Sequence, residues 1–526
     1  MPTLQNLLAS GYFARELPPS FSTASFANAV TGPNDGLVAQ ISTVAGSPRY
    51  AEMCVHNMVR SGGLRRHLGI PNPVHYSRQC SFIVQHWAAL QQSAHRSPFS
   101  LTKPVDTGAE RAITGSHDFT ARTMRRAELR ASGRFLIHAD INRFYPSVYT
   151  HSIPWAIEGK NVVKQAKATN TLNTIWSDRL DTNTRNMNDQ QTVGIPIGPD
   201  TSLLLAECVL AAVDEELNQT IPGLRGIRFI DDYEFVTNKR SEAEVVVSTL
   251  QSILSKFELA LNPTKTQIIE LPHPIEPLWT SRLRTFVFRD AGTKGQRTDL
   301  TAYFDNVFAL ARGAPDETIF KYAIPRLNAV DLAPDNWQIF QYLLSQCARC
   351  EPACLPQVCD QIFYYQSNQG LAVDIPLWTV CLEQTILERL PLGQASEALW
   401  ALWMMRCLGI SMSESVVSAI DTCDDSPVAL MALSMSSYDF WNEASFPRLQ
   451  AFAEPSELFG RHWLLCYESN KQGWLTPPSG VDSLGAHPQF DFLRSQNVSF
   501  FNINALPRIL SRYVPGSGGG GGSGEY

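Results

Sequence analysis

Two short apolar segments that end in aspartates constrain the fold of this chain more than any other feature. Residues 135–141 read FLIHADI, which predicts a buried strand ending near Asp140. Residues 227–236 read IRFIDDYEFV, which predicts two short strands joined at Asp231 and Asp232. Adjacent acids repel each other in a tight hairpin, and they are tolerated when cations neutralise them. The sequence therefore predicts an acidic site at the ends of neighbouring strands.

The segments between and after these strands show the periodicity of amphipathic helices. Residues 202–217 repeat apolar side chains on one face, and so does the segment after residue 241. Ser241 and Glu244 match a capping box, which predicts the start of that second helix. From residue 135 to 270 the predicted order is strand, helix, helix, hairpin, helix, strand. This order is typical of an α+β layer with carboxylates at its strand ends.

The second half of the chain has a different pattern. After about residue 290 helical runs dominate, for example residues 396–407 and 413–420. The spacing of four cysteines there suits buried thiols on a helix and turn, with a zinc site as the alternative. These cysteines are Cys347, Cys350, Cys354 and Cys359. The chain closes with GSGGGGGSGEY, which reads as a flexible tether or as a cloning linker.

Length and charge bound the organisation of the molecule. A chain of 526 residues is too long for one hydrophobic core, so two or three domains are expected. The net charge is −7, yet residues 1–139 carry 14 Lys and Arg against 7 Asp and Glu. A basic N-terminal third can contact phosphate groups while the rest stays acidic. Plain solvation of a surface is the alternative reading of these cations.

The composition also indicates a compartment. The eleven cysteines are scattered over a long chain, which favours free thiols in a reducing cytoplasm over a disulfide framework. No run of about 18 apolar residues occurs, so we expect no membrane span. The first residues have neither a basic lead nor a long apolar block, so we expect no signal peptide.

Three predicted features, namely the acidic site, a glycine-containing loop and a lysine, together suit chemistry on phosphates. Carboxylate oxygens with substrate phosphates are the ligands that Mg²⁺ prefers. Two such ions about 4 Å apart can activate an attacking 3′-hydroxyl and stabilise a leaving pyrophosphate. The loop of residues 194–199, GIPIGP, can lie against a nucleotide without side-chain obstruction, with Gly198 at its end. Lys265 follows a helix and turn, where a cation can meet a triphosphate.

The order of these motifs resembles the palm of a reverse transcriptase. The chain contains D-x-x-x-F-Y, G-x-P-x-G, F-I-D-D and L-N-P-x-K-T in that order, which are similar to motifs A to D of that family. The sequence of residues 144–147 and 149–156 resembles that of prokaryotic abortive-infection and defence-associated reverse transcriptases of the AbiK kind. Residues 11–19 and 65–73 are also similar to that group. The similarity covers roughly residues 7–285.

The resemblance implies an architecture and a metal site. It implies an α+β right-hand fingers–palm domain over residues 1–285 and an all-α HEAT-like domain over residues 286–515, followed by a glycine-rich tail from 516 to 526. It implies two Mg²⁺ ions, with Mn²⁺ as a substitute. Their ligands would be the catalytic carboxylates of Asp140, Asp231 and Asp232 and the carbonyl of Ile141.

The resemblance also implies nucleotide-binding residues. Tyr145 stands where these enzymes hold an aromatic that excludes a ribose 2′-hydroxyl, and Lys265 matches the cation of motif D. Arg126 belongs to a group of arginines, with Arg122, Arg125 and Arg130, where fingers cations meet template or triphosphate. Ile197 stands where many relatives have a glutamine that helps to hold the template, which argues against ordinary template copying.

The function that the resemblance implies is an RNA-directed DNA polymerase in antiphage defence. Expected partners are dNTPs, a DNA product, a noncoding RNA and further copies of the chain. Tyr526, on the glycine-rich tail, is a candidate protein primer. The alternatives are a catalytically silent palm that serves as a nucleic-acid scaffold or toxin, and an RNA polymerase or primase.

Overall fold

The computed structural model describes residues 1–32, 48–59, 65–106, 108, 111–117, 119–290, 294–436 and 445–508. The candidate primer Tyr526 and the glycine-rich tail lie outside these residues.

The strands lie in the first half of the chain. They are β1 (Cys54–Val59), β2 (Arg65–Ile70), β3 (Pro104–Val105), β4 (Thr114–Gly115), β5 (Phe135–Asp140), β6 (Arg225–Phe229), β7 (Asp232–Thr237) and β8 (Gln267–Glu270). The last four form one antiparallel sheet in the order β6-β7-β5-β8, and β1–β2 and β3–β4 form two separate hairpins.

Helices surround the sheet and continue alone after β8 in the described chain. In the first half they are α1 (Leu4–Ala9), α2 (Ala24–Thr31), α3 (Pro73–Gln85), α4 (Trp87–His95), α5 (Phe119–Arg130), α6 (Phe144–Ser147), α7 (Ser152–Glu158), α8 (Lys160–Ala168), α9 (Trp176–Asn186), α10 (Asp200–Thr220), α11 (Arg240–Lys256) and α12 (Leu278–Arg284).

The second half is built from a further set of helices and short 3₁₀ turns. The α-helices are α13 (Gln296–Gly313), α14 (Ile319–Ala323), α15 (Trp337–Cys350), α16 (Leu355–Gln369), α17 (Ile375–Arg389), α18 (Ala395–Leu408), α19 (Glu414–Asp421), α20 (Ser426–Ser436), α21 (Trp463–Gln472) and α22 (Pro488–Ser495). The structure thus confirms the predicted α+β class with a helical C-terminal region.

Two details differ from the sequence-based expectation. Helix α11 begins after an N-cap at Lys239, whose N–H bonds to the side chain of Glu242, two residues earlier than the predicted box at Ser241 and Glu244. The side chain of Glu242 accepts from the N–H of Lys239 at 3.3 Å, which makes the earlier start favourable. The stretch between β5 and α10 holds four short helices, α6 to α9, because glycine, proline and turn residues break it repeatedly.

The cysteines of the helical half are mostly inside. Cys347, Cys354 and Cys359 are buried, and Cys350 is exposed. Burial raises the pKa of the buried thiols well above its ordinary value, which keeps them protonated and unreactive. None of the described helices is long and apolar enough to cross a membrane.

The N-terminal segment is held by the C-terminal helices. The ring of Phe500 lies 6.1 Å from that of Phe13 and 5.3 Å from that of Phe26. The indole N–H of Trp463 donates to the carbonyl of Ile70 at 3.0 Å. One cluster of buried apolar residues runs from Leu7 to Phe501, so both halves share a continuous core.

We predict that residues 1–285 do not fold stably by themselves. Removing the later helices would expose the apolar surface of Phe13, Phe26 and Ile70, which costs about 25 cal/mol for each Å². Thermal denaturation followed by circular dichroism, on the fragment and the whole chain, measures the effect. A cooperative transition of the fragment at the temperature of the whole chain would contradict this prediction.

Candidate active site

The register of the central sheet brings the predicted acids together. Asp140 at the end of β5 lies directly opposite Asp232 at the start of β7. Strand β5 is central, with Leu136, Ile137 and Ala139 almost fully buried, so its position is fixed by packing on both faces. A slip of one residue would turn these side chains to the opposite faces, so the facing of Asp140 and Asp232 is specified by the core.

A two-residue turn carries the third acid. Phe229 pairs with Asp232, which leaves Ile230 and Asp231 as the turn between β6 and β7. Ile230 has φ 55°, a left-handed conformation that is rare for a β-branched residue. The N–H of Ile141 donates to the carbonyl of Asp231 at 3.3 Å. The turn is therefore tied to the strand that ends at Asp140.

Asp140 is held by the loop that follows α11. The Nζ of Lys265 lies 3.0 Å from one carboxylate oxygen of Asp140, and the Nδ2 of Asn262 lies 3.3 Å from the other. The N–H of Asn262 also donates to the carbonyl of Asp140 at 2.7 Å. The lysine predicted to meet a triphosphate therefore pairs with an acid of the site.

Asp232 is held by a cation from the other side. The Nη2 of Arg122 on α5 lies 2.9 Å from a carboxylate oxygen of Asp232, and its guanidinium stacks 4.6 Å from the centre of the Phe229 ring. The imidazole of His138 lies 3.7 Å from the other oxygen. Asp232 thus faces positive or polar groups on two sides.

Asp231 is the electrostatically strained member of the set. Burial, together with the nearby charges of Asp232 and Asp140, raises the pKa of Asp231 from its ordinary value of 3.8 to about 6. Because the charges of Asp232 and Asp140 both raise the pKa of Asp231, the negative charges of these two carboxylates disfavour ionisation of the third.

The described residues contain no three His, Cys, Asp or Glu side chains already gathered as a metal centre. Asp140 and Asp232 are each paired with a cation, Lys265 and Arg122 respectively. These cations balance charge that a divalent ion would otherwise balance.

Tyr145 is on the short helix that follows β5. Helix α6 begins after Arg143, which has φ 47°, and this turn brings Tyr145 five residues after Asp140 into the core. Tyr145 is 8% exposed, its ring lies 5.4 Å from that of Phe144, and its carbonyl accepts from the N–H of Ile195 at 3.0 Å. It is therefore held by its own short helix and by the glycine-containing loop.

The loop of Gly198 is anchored by the N-terminal segment. Gly198 has φ 127°, and a Cβ at this position would lie 3.1 Å from the Cβ of Ala14. Its carbonyl accepts from the guanidinium of Arg111 at 3.0 Å, and Arg111 also pairs with Asp200 at the start of α10. The structure thus gives Gly198 a close-packing position.

The other arginines of α5 face the sheet. Arg126 and Arg130 lie 2.5 Å and 2.9 Å from the carboxylate of Glu234, which is 3% exposed. Residues at i, i+4 and i+8 of a helix share one face, so Arg122 joins this row and meets Asp232. The structure therefore places Arg122 at the acids of the site and Arg126 on Glu234.

Sequence reasoning missed a buried network beneath the turn. Arg228 is fully buried, with Nη1 2.9 Å from Glu207 and Nε 2.8 Å from Asp214. The signal in the sequence was weak. Glu207 and Asp214 stand seven residues apart on either side of the apolar run of residues 208–213, which places two acids on one buried face of the helix.

Comparison with known proteins assigns the class. Residues 88–294 match the family described as reverse transcriptase (RNA-dependent DNA polymerase). This segment, which includes all three acids, therefore forms a reverse transcriptase domain with the predicted fingers–palm fold. Residues 88–294 are therefore a reverse-transcriptase-like nucleotidyltransferase domain. A comparison with proteins of curated function gives no match.

Solved structures give only distant likeness. Telomerase from Candida albicans with a TWJ fragment of telomeric RNA has 11% identity and a TM-score of 0.29, over 70% of this chain and 68% of that one. Apo telomerase from Candida tropicalis has 11% identity and a TM-score of 0.31, over 76% and 71% of the two chains. At these scores the likeness does not bear on substrate or mechanism.

We predict that Asp231→Asn stabilises the protein in the absence of divalent ions. The folded state raises the pKa of Asp231 to about 6, so its ionised form destabilises the fold above that pH. The gain at pH 7.5 should be about 1–3 kcal/mol of unfolding free energy, and it should shrink as pH falls from 6 towards 4. Urea denaturation at several pH values measures it. The exposed control Asp316→Asn should show no gain, and equal stability of Asp231→Asn and the parent at pH 7.5 would refute the strain.

Proposed function

We propose that this protein is a DNA polymerase of the reverse transcriptase type that joins dNTPs by two-metal catalysis at Asp140, Asp231 and Asp232. The observation that carries the proposal is the pairing of Asp140 with Asp232 across adjacent strands, with Asp231 on the turn beside them. The match of residues 88–294 to the reverse transcriptase family supports the same assignment.

The donor set fits magnesium. Three carboxylates supply the hard oxygen ligands that Mg²⁺ takes, and the carbonyl of Ile141 is a further proposed ligand. Burial, together with the charges of Asp232 and Asp140, raises the pKa of Asp231, and divalent ions bound there would stabilise its ionised form. When bound, two ions would activate the 3′-hydroxyl and stabilise the leaving pyrophosphate.

The side chains around the acids then acquire separate roles. Lys265 is half-exposed, so its pair with Asp140 is weak and exchangeable. We propose that Lys265 and Arg122 turn from the carboxylates to the triphosphate of the incoming nucleotide.

Gly198 keeps the adjoining loop close to the N-terminal segment. Arg126 pairs with Glu234, and its proposed contact with the template or the triphosphate stays a prediction.

Tyr145 is proposed as the residue that selects the sugar. A bulky ring five residues after Asp140, held at both its helix and its carbonyl, leaves little room for a ribose 2′-hydroxyl. This choice favours dNTPs over rNTPs and argues against the RNA polymerase or primase alternative.

The biological role is proposed from the motif resemblance. The wording of residues 144–156 is similar to defence-associated reverse transcriptases, so we propose antiphage DNA synthesis in the cytoplasm, with nucleic acid, a noncoding RNA and further copies of the chain as partners. Ile197 supports unusual templating, since its apolar side chain is buried and cannot form the hydrogen bonds of a template-holding glutamine. Its carbonyl accepts from the N–H of Gly69.

The second candidate is a catalytically silent palm that acts as a nucleic-acid scaffold or toxin. The pairs Lys265–Asp140 and Arg122–Asp232 favour it, because a silent site would keep such pairs permanently. Incorporation of labelled dNTPs separates the two candidates.

We predict that Asp140→Asn and Asp231→Asn each lower dNTP incorporation by about a thousandfold or more. Loss of a metal ligand removes several kcal/mol of transition-state stabilisation. The measurement is incorporation of each labelled dNTP with Mg²⁺, and Asp316→Asn serves as the control that keeps activity. Near-parental incorporation by either variant would falsify the assignment of the acids.

We predict that Tyr145→Ala admits ribonucleotides. The ratio of kcat/KM for dNTP over rNTP should fall by about tenfold or more, because the ring no longer excludes the 2′-hydroxyl. Tyr145→Phe keeps the ring and should retain the ratio. An unchanged ratio in the alanine variant rules Tyr145 out as the gate.

Protein priming by Tyr526 belongs to the same proposal. The phenol on an eleven-residue tail from Pro515 can reach roughly 36–40 Å at full extension, enough to enter a cleft. A denaturing gel of the product with and without proteinase, for the parent and for Tyr526→Phe, tests whether this hydroxyl becomes linked to DNA.

A further inference from the structure

The turn that presents Asp231 stores backbone strain. Ile230 has φ 55°, and its branched side chain makes this conformation costly, on the order of 1–3 kcal/mol. Such a turn persists only where its surroundings hold it. The immediate neighbours of Ile230 therefore decide where Asp231 lies.

Both backbone groups of Ile230 are held by one ring of hydrogen bonds. Its N–H donates to the hydroxyl of Thr102 at 3.1 Å, and that hydroxyl donates to Glu207 at 2.6 Å. The Nη1 of Arg228 donates to the same oxygen of Glu207 at 2.9 Å and to the carbonyl of Ile230 at 2.8 Å. The ring passes through four residues and closes on the turn.

The ring is anchored in rigid, dry surroundings. Glu207 lies in the middle of α10, and the exposure of Arg228, Glu207 and Thr102 is 0%, 1% and 4%. The N–H of Arg228 donates to the carbonyl of Phe99 at 2.8 Å, and an isolated parallel bridge joins Ser100 to Arg228, so the segment before Thr102 runs beside β6. Low polarity strengthens each of these hydrogen bonds and makes each loss expensive.

We infer that Thr102, Glu207 and Arg228 are positioning residues, which hold Ile230 in its left-handed conformation and thereby aim the carboxylate of Asp231 at the proposed metals. The inference rests on the proposed function of the three acids. It adds that metal affinity is set by a polar ring that touches neither metal nor nucleotide.

A merely structural role makes a different prediction. A structural hydrogen bond affects the free energy of unfolding alone, whereas a positioning one also changes metal affinity in the folded protein. Removal of a residue that orients a metal ligand typically lowers metal affinity or activity roughly 10–100-fold.

Thr102→Ala is the test variant, because it removes the hydroxyl without adding bulk. Thr184→Ala is its matched control, since Thr184 is also buried, accepts from Gln79 at 3.0 Å and donates to the carbonyl of Leu180 at 2.9 Å, away from the site. Thr102→Ser restores the hydroxyl. Thr102→Val also removes the hydroxyl but keeps the volume, and it supplies a second test with the same expected loss of Mn²⁺ affinity if Thr102→Ala does not fold.

Mn²⁺ binding followed by electron paramagnetic resonance is the direct readout, with denaturation to confirm folding. We expect the dissociation constant of Mn²⁺ to rise about 10–100-fold in Thr102→Ala and to return towards the parental value in Thr102→Ser. Thr184→Ala should lose stability by a similar amount yet keep its Mn²⁺ affinity. The concentration of Mg²⁺ that gives half-maximal incorporation should follow the same order.

Two outcomes overturn the inference. One is a parental Mn²⁺ affinity in folded Thr102→Ala, and the other is an equal loss of Mn²⁺ affinity in Thr102→Ala and Thr184→Ala. Either result would mean that the ring has a purely structural role, while the proposed function stands. Absence of Mn²⁺ binding and dNTP incorporation in the parental chain, with Asp231→Asn identical to it, overturns the proposed function itself.

Discussion

The buried guanidinium of Arg228 is the interaction on which the acidic site depends. Burial alone would lower the pKa of Arg228, but the adjacent Asp214 and Glu207 raise it well above its ordinary value. An isolated charge in this place would cost several kcal/mol, so the arginine and the two acids have to be present together. Because the acids belong to α10 and the arginine belongs to β6, the network fixes the hairpin against the helix. The two ion pairs of Arg228 thus hold the strand that leads into the turn of Asp231.

Two kinds of ion pair serve different purposes in this molecule. The pairs of Arg228 are dry and permanent, and loss of one partner is expected to cost about 3–5 kcal/mol. The pairs Lys265–Asp140 and Arg122–Asp232 lie at the mouth of the site, where the side chain of Lys265 is 51% exposed and that of Asp232 is 30% exposed. Partly exposed pairs of this kind are typically worth about 1 kcal/mol or less, so we expect a divalent ion to displace them. The fold thus combines a rigid support with replaceable counter-charges above it.

Periodicity made much of this fold predictable. The strands ending at Asp140 and Asp232, and the helix before the hairpin, follow from apolar runs whose lengths and spacing have few other solutions. The choice among the arginines of α5 was not predictable, since residues four apart share a face and only the sheet decides which one meets Asp232. The ring through Thr102 was hidden for a similar reason: its members are distant in sequence. The shared core of Phe13, Phe26 and Phe500 joins the two ends of the chain, which no local pattern can indicate.

The boundary at residue 285, the HEAT-like character of the later helices and the roles of the site residues remain predictions.

The most direct test of the two-metal account is a crystal structure with Mn²⁺ and a non-hydrolysable dNTP. Anomalous diffraction at the manganese edge would locate the ions independently of any assumption about the site. The account predicts two peaks about 4 Å apart between Asp140 and the turn of Asp231, with Lys265 and Arg122 moved to the phosphates. A site without manganese peaks, in which Lys265 still pairs with Asp140 and Arg122 with Asp232, would contradict it.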